Sequence, residues 1–456
     1  MVTSSQSLVR FTIKAIPPLV ILGLTLGYIL AVINPVPLSD EWRWMQALLI
    51  PFIESDINFW QYITGEYSFL GHSHYLTLLF IYTDYQIFGL DYTHMAYIGL
   101  IAYLLTWSLL VWYYLALHQY QLNTQGYTCL LLLTLGFASP LSDFPWGLVL
   151  FEYLYFLFAL ALLCLFDLTL RHKFSFYGFL VTFAVSVVFT ETIGLMAVLT
   201  VLGWSLLHSA LKQYPWRKTA TLWLTFTLIL LAQYLLLGSG IEKRSSFSES
   251  AVSMLSNLDS VLQSLFIAFS LPLADQTLLS ESSVFQGDYR IWQVLIGIVG
   301  LLITLTGMGY YLLGGGLKKS QLPLLLFLFS LVAWGTILLA RYQDAGAYIF
   351  DARRFARFFT VYYIAAAIGL SLSDKKSGGK AAAALTLLLA VFFSYATVAQ
   401  HSRAKHVEHY FTNAEQAIKN TPTDKAALAN SIPRCKTEPC AETIAFLREH
   451  QLSLFK

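Results

Sequence analysis

Apolar runs long enough to cross a lipid bilayer recur along this chain, and they restrict its fold more than any other feature. At 1.5 Å rise per residue, about 20 helical residues span the roughly 30 Å hydrocarbon core. Runs of that character fall near 15–33, 95–117, 126–139, 146–167, 174–190, 193–211, 218–238, 291–313, 321–340, 357–373 and 381–399, about eleven in all. In hydrocarbon every backbone N–H and C=O needs an internal partner, so such runs fold as helices. The expected fold is all-α, a polytopic transmembrane helical bundle. Composition agrees: with 57% hydrophobic and 12% charged residues, 456 residues cannot solvate the globular domains their length would otherwise suggest. A net charge of +2 and the lack of a Lys/Arg-rich run exclude nucleic acid as the expected partner.

Arg10 and Lys14 precede the first run, Ala15 to Ile33, which is long for a signal-peptide core and lacks a small-x-small site before Asn34-Pro35. It reads as an uncleaved first span. Lys and Arg in short loops set orientation. Arg10, Lys14, Arg171, Lys173, Lys212, Arg217, Lys218, Lys318, Lys319, Lys375, Lys376 and Lys380 alternate onto one side, the expected cytoplasmic side. The N-terminus is then inside and the C-terminus outside. Residues 1–400 read as the membrane domain, with a first extracytoplasmic loop at 34–94 and a polar connection at 239–290 whose apolar stretch, Val261 to Leu273, is expected at the periphery. Residues 401–456 read as a small extracytoplasmic tail, where Cys435 and Cys440 face an oxidising compartment and are expected to form a disulfide.

The first outer loop concentrates the chemistry. Asp40 and Glu41 follow the first span, then come Trp42, Trp44, Trp60, Glu66 and Gly71-His72-Ser73-His74-Tyr75. Ionisable groups are costly in hydrocarbon, so this set is expected to face water, a headgroup or a substrate. Acids at a helix start also stabilise it unaided. A carboxylate here could serve as general base toward an acceptor hydroxyl, or hold a divalent metal, Mg or Mn, that bridges to a phosphate.

A first span followed by an outward Asp-Glu pair in Ser39-Asp40-Glu41-Trp42, an aromatic-rich loop and many further spans resembles the GT-C class of membrane glycosyltransferases. That class includes the protein O-mannosyltransferases, the aminoarabinose transferases of lipid A and the bacterial oligosaccharyltransferases. The resemblance implies a polyprenyl phosphate or diphosphate sugar donor and an extracytoplasmic active site in a bacterial inner membrane, with Asp40 or Glu41 as catalytic base. Gly71-His72-Ser73-His74-Tyr75 followed by Asp84-Tyr85-Gln86-Ile87-Phe88-Gly89 is similar to a pattern in bacterial members of the class. It implies that His72 or His74 contacts donor phosphate or sugar; loop histidines that hydrogen-bond a neighbour are the plainer alternative.

A second outer cluster holds Arg341, Arg353, Arg354 and Arg357 with Asp344 and Asp351. Four arginines there run against the positive-inside bias, and a guanidinium fork suits phosphate oxygens. Arg353 and Arg357, four apart, are expected to share a helix face. The resemblance implies the same donor-phosphate role, although Arg-Phe stands here where the class carries an Arg-Tyr-like element; binding of ordinary lipid headgroups is the alternative. Asp143, Glu152 and Glu191 complete the expected substrate pocket with Trp42, Glu66 and Tyr75. Glu152 lies inside a span, where a carboxylate needs a partner or a cavity. The expected function is transfer of a sugar from a lipid-linked donor to an extracytoplasmic polysaccharide, lipid or protein. The alternatives are a transporter or flippase of lipid-linked saccharides, or an O-antigen polymerase or ligase.

Overall fold

The computed structural model describes residues 3–34, 36, 40–64, 75–140, 147–189, 191–237, 247–274, 279–280, 288–374, 377–436 and 440–455. Among them there is no strand; every regular element is helical. In order, α1 is Thr3–Val32, α2 Asp40–Trp44, α3 Ile50–Ile53, α4 Phe59–Thr64, α5 Tyr75–Phe88, α6 Tyr92–Leu117 and α7 Thr124–Ala138. Then follow α8 Gly147–Phe151, α9 Tyr153–Leu170, α10 Phe176–Phe189, α11 Glu191–Ala210, α12 Trp216–Leu237, α13 Phe247–Ser256 and α14 Leu258–Ser270. The last third holds α15 Tyr289–Leu313, α16 Gly316–Lys319, α17 Leu322–Ala345, α18 Ala356–Leu372, α19 Gly378–Asn420, α20 Lys425–Ser431 and α21 Cys440–Glu449.

Seven helices among the described residues are long and apolar enough to cross a membrane, or eight if the bent pair α13–α14 counts as one span. This is fewer than the expected eleven. The runs at 15–33, 126–139 and 174–190 do form helices, but their apolar parts, Ile16–Val32, Thr124–Ala138 and Phe176–Phe189, are shorter. The run at 218–238 lies in the 22-residue α12.

The bundle is built around α18. Its span is 89% buried, against 28% for Gly378–Gln400 and 33% for α15, so α18 is the axis and the latter two belong to the outer ring. A helix that is apolar on every side is stable only where every side is covered. Close approach comes from small residues: Gly136 of α7 stands where a Cβ would be 3.3 Å from the Cβ of Tyr363. Helices α7, α15 and α17 pack directly on α18.

The bundle has two ends. At the turn end, short connections at 118–123, 171–175, 211–215, 314–321 and 373–377 join the helices. At the loop end lie the starts of α2, α6, α8 and α18.

The stretch Val261 to Leu273 is not peripheral as expected. Helices α13 and α14 meet at 96°, too sharp for one straight span, and α14 drives inward. Ile267, Ala268, Phe269, Ser270, Leu271, Leu273 and Ala274 are buried. The physical reason is backbone access. At Gly297 of α15 a Cβ would fall on the carbonyl oxygen of Phe266, so only glycine lets α14 lie this close. Tyr362 of α18 donates to the Phe269 carbonyl at 2.7 Å and closes the contact.

The expected boundary at 400/401 falls inside α19, a single helix of 43 residues. Within the tail, Phe411, Ala414 and Ile418 of α19 are buried, as are Leu428, Ile444 and Leu447. Cys435 and Cys440 form the expected disulfide.

Candidate functional site

Three expected site residues converge on the short helix α8. Gly99 of α6 stands where a Cβ would strike the backbone of Leu150 and Phe151, so α6 and α8 touch main chain to main chain. One turn earlier, a Cβ at Gly147 would lie 3.5 Å from Glu41 Oε1 and 3.6 Å from the Tyr92 carbonyl oxygen. Glu41 is therefore drawn from the first loop into the seam between α6 and α8, and it is only 2% exposed.

The other end of α8 holds the second carboxylate. The helix breaks at Glu152 before α9 begins. In an unbroken helix the Val149 carbonyl would accept from the N–H of Tyr153. Here Arg357 Nη1 donates to that carbonyl at 2.8 Å, and its Nη2 pairs with Glu152 Oε2. A side chain inserted into the hydrogen-bond ladder is a recognised cause of a kink. The Arg357 side chain is 3% exposed and that of Glu152 22%, so the acid keeps an open edge while the cation is enclosed.

This placement corrects the expected geometry of the arginines. Arg353 and Arg354 lie in a 3-10 turn, Arg353–Phe355, and α18 begins only at Ala356, so Arg353 and Arg357 do not share an α-helical face. Arg353 and Arg354 are half-buried, with the Arg354 guanidinium 5.2 Å from the centre of the Phe355 ring. Arg341 sits half-buried near the end of α17. Arg357 faces α8, not solvent.

The first loop is corrected in the same sense. Trp42 and Trp44 are buried in the core beside Glu41 and do not face water or headgroups. Immediately after them, Met45–Leu49 forms a π-helical turn that joins α2 to α3. One residue is inserted there, which turns the following side chains relative to the preceding ones; such bulges occur often at functional sites. Trp60 behaves as expected, with 73% exposure. Tyr75 opens α5 and lines a cavity of about 740 Å³ together with Trp60, Gln61, Leu79, Phe189 and Gln233.

Glu66, His72, His74 and Asp143 lie outside the described residues, as do the side chains of Asp40, Glu191, Asp344 and Asp351. Asp84, from the segment after the histidines, has a local structural task. Its carboxylate accepts from the Asp91 N–H at 2.6 Å and meets His94 Nδ1 at 2.7 Å, while Asp91 caps α6 by accepting from Thr93 N–H. Burial raises the Asp84 carboxyl above its usual range, and the His94 contact works against that rise. The bonds close a turn in which Leu90 takes a left-handed backbone, φ 61°.

Among the described residues no three His, Cys, Asp or Glu side chains gather in a way that could hold a metal ion. Of the two carboxylates at α8, Glu152 is paired with Arg357.

Two features had weak signals in the sequence. Arg290 starts α15 between two aromatic rings, 4.9 Å from Tyr289 and 4.3 Å from Tyr348; the adjacent Tyr289-Arg290 was the only hint. The Glu152–Arg357 pair joins residues 205 positions apart, and only the cost of a carboxylate within a span pointed to a partner. The chain matches no protein-family model, no curated protein and no solved structure.

Proposed function

We propose that this chain is a membrane glycosyltransferase of GT-C architecture, which moves a sugar from a polyprenyl-phosphate or diphosphate donor to an acceptor hydroxyl at the loop end. In this reading the bundle has about eleven spans, the N-terminus is cytoplasmic, and the loop end faces the exterior of a bacterial inner membrane. One observation carries it: α8 gathers Glu41, Glu152 and Arg357 where the first loop meets the bundle.

Glu41 or its neighbour Asp40 takes the proton of the acceptor hydroxyl. The freed oxygen attacks the anomeric carbon, the bond from that carbon to the phosphate oxygen breaks, and the phosphate leaves with the electron pair. The half-buried Arg353, Arg354 and Arg341 neutralise that leaving group, aided by His72 or His74. Arg357 acts differently from the other arginines. By holding the Val149 carbonyl and Glu152 it fixes the break that sets α8 against Glu41, which makes it a positioning residue. Desolvation strengthens each of these charges relative to water.

The test is transfer from a radiolabelled polyprenyl-phosphate sugar pool in membranes holding wild type, Asp40→Asn, Glu41→Gln or Arg353→Ala at matched expression. Label should reach an acceptor in wild type and be lost in one acid variant that still binds donor. Equal transfer in all four would sink the reading, and label that crosses the membrane unchanged would assign transport instead. A parallel arm with EDTA reports whether transfer needs a divalent ion.

A further inference from the structure

The cavity of about 740 Å³ is lined by none of the α8 residues and lies between the helices of the first loop and the ends of α10 and α12. Asn58, Trp60, Gln61, Ile63 and Thr64 come from α4 and its start, Tyr75, Leu76 and Leu79 from α5, Val188 and Phe189 from α10, and Gln233 from α12. Its size falls in the range of roughly 300–1,000 Å³ of small-molecule sites.

Three observations bear on what it takes. First, among the described residues its lining side chains carry no fixed charge. Its polar groups are carboxamides and hydroxyls, and Asn58 and Gln61 already exchange backbone hydrogen bonds at 2.9 Å to cap α4. Second, the surfaces leading into it are those of a bilayer-facing protein: Val181, Val185, Phe189, Leu230, Leu231, Trp60 and Leu79 are all exposed. A mouth bordered by such residues opens toward hydrocarbon. Third, α10 has only 14 residues, about 21 Å at 1.5 Å per residue. That is shorter than the roughly 30 Å hydrocarbon core, so the Val188-Phe189 wall lies at the depth of lipid chains or at their upper boundary.

We infer that this cavity binds a single hydrocarbon chain of a membrane lipid, which enters sideways from the bilayer and lies along Leu76, Leu79, Val188 and Phe189. The chemistry is shared by an acyl chain and a polyisoprenoid. The inference does not depend on the transferase reading, since a lipid site of this kind serves an enzyme or a transporter alike.

Two photoprobes test it on the purified full chain in nanodiscs: a phosphatidylglycerol with a diazirine at the end of one acyl chain, and a polyprenyl phosphate with a diazirine on its terminal isoprene unit. At least one probe should label peptides containing Leu76-Leu79 and Val188-Phe189. Labelling there should fall at least fivefold in Leu79→Trp and in Val188→Trp, and stay within twofold of wild type in Leu387→Trp on the outer face of α19. The probe that labels identifies the source of the chain. Unlabelled lipid of the same class should compete the label away on wild type, a readout that survives if a Trp variant fails to fold. Labelling spread evenly over exposed spans, or undiminished by competitor and by both filling variants, overturns the inference.

Discussion

Two carboxylates, each paired with an arginine, stand at opposite ends of the bundle and are treated differently. Asp167, at the turn end, has a fully enclosed side chain, accepts from the Tyr113 hydroxyl, the Ser320 hydroxyl at 2.9 Å and the Gln321 N–H at 2.6 Å, and forms an ion pair with Arg171 Nε at 3.0 Å. Three hydrogen bonds and an ion pair engage both of its oxygens. Glu152, at the loop end, shares a buried arginine with a main-chain carbonyl and keeps 22% of its side chain exposed. The first arrangement is enclosed and ties α6, α9 and the turn before α17 together. The second leaves an edge open at a break in a helix whose other end holds Glu41. An enclosed carboxylate is a fastener, whereas a partly open one can exchange partners.

That contrast can be sharpened by substitution. Glu41→Gln should have the largest effect: transfer falls by about 10²–10⁴, the usual contribution of a general base, with little change in thermal unfolding because the shape is kept. If Asp40→Asn carries that loss instead, the base is the neighbour. Next, Arg357→Ala and Asp167→Asn should each destabilise, the former by about 1–3 kcal/mol because the Val149 carbonyl and the half-buried Glu152 lose their partner. Thermal unfolding in detergent reads both. Only Arg357→Ala should also lower transfer per folded molecule; equal loss in Asp167→Asn would erase the distinction between the two ends.

A smaller effect is expected where α14 enters. Gly297→Leu forces a side chain onto the Phe266 carbonyl and should cost about 1–3 kcal/mol as overpacking. Limited proteolysis should then cut near Asn257, at the bend; an unchanged digestion pattern would mean that α14 relaxes in place. Smallest is a pH effect at Asp84. Its carboxyl is raised in the folded chain, so the protonated form is favoured there and the associated stability is complete below the unfolded value, about 4. It is lost as pH rises through the folded value. The unfolding temperature of wild type minus that of Asp84→Asn should therefore fall from pH 3 to pH 7, and a flat or rising difference would mean that the His94 contact outweighs burial.

Much of the candidate site was legible as residue type but not as partnership. Adjacent Asp40 and Glu41 after an apolar run announced acids that face water or a substrate, whereas Glu41 is covered, and Glu152 within a span announced a partner or a cavity. The partner itself was hidden, because Arg357 meets Glu152 across 205 positions and the meeting depends on a helix break that no local propensity marks. The arginine cluster misled for a related reason. Spacing of four implies a shared face only inside a helix, and α18 starts three residues after Arg353.

The sequence by itself determined that the chain is helical and built of bilayer-length apolar segments, because hydrocarbon leaves the backbone no other way to satisfy its hydrogen bonds. It also determined the Cys435–Cys440 link, since two cysteines so close in a soluble-looking tail have short reach to each other. Tertiary structure alone decided which helix is the axis, that α14 turns inward, and that Trp42 and Glu41 are covered. Close approach at Gly136, Gly297 and Gly147 accompanies these arrangements, and one residue's missing side chain has meaning only when its neighbour across the bundle is known.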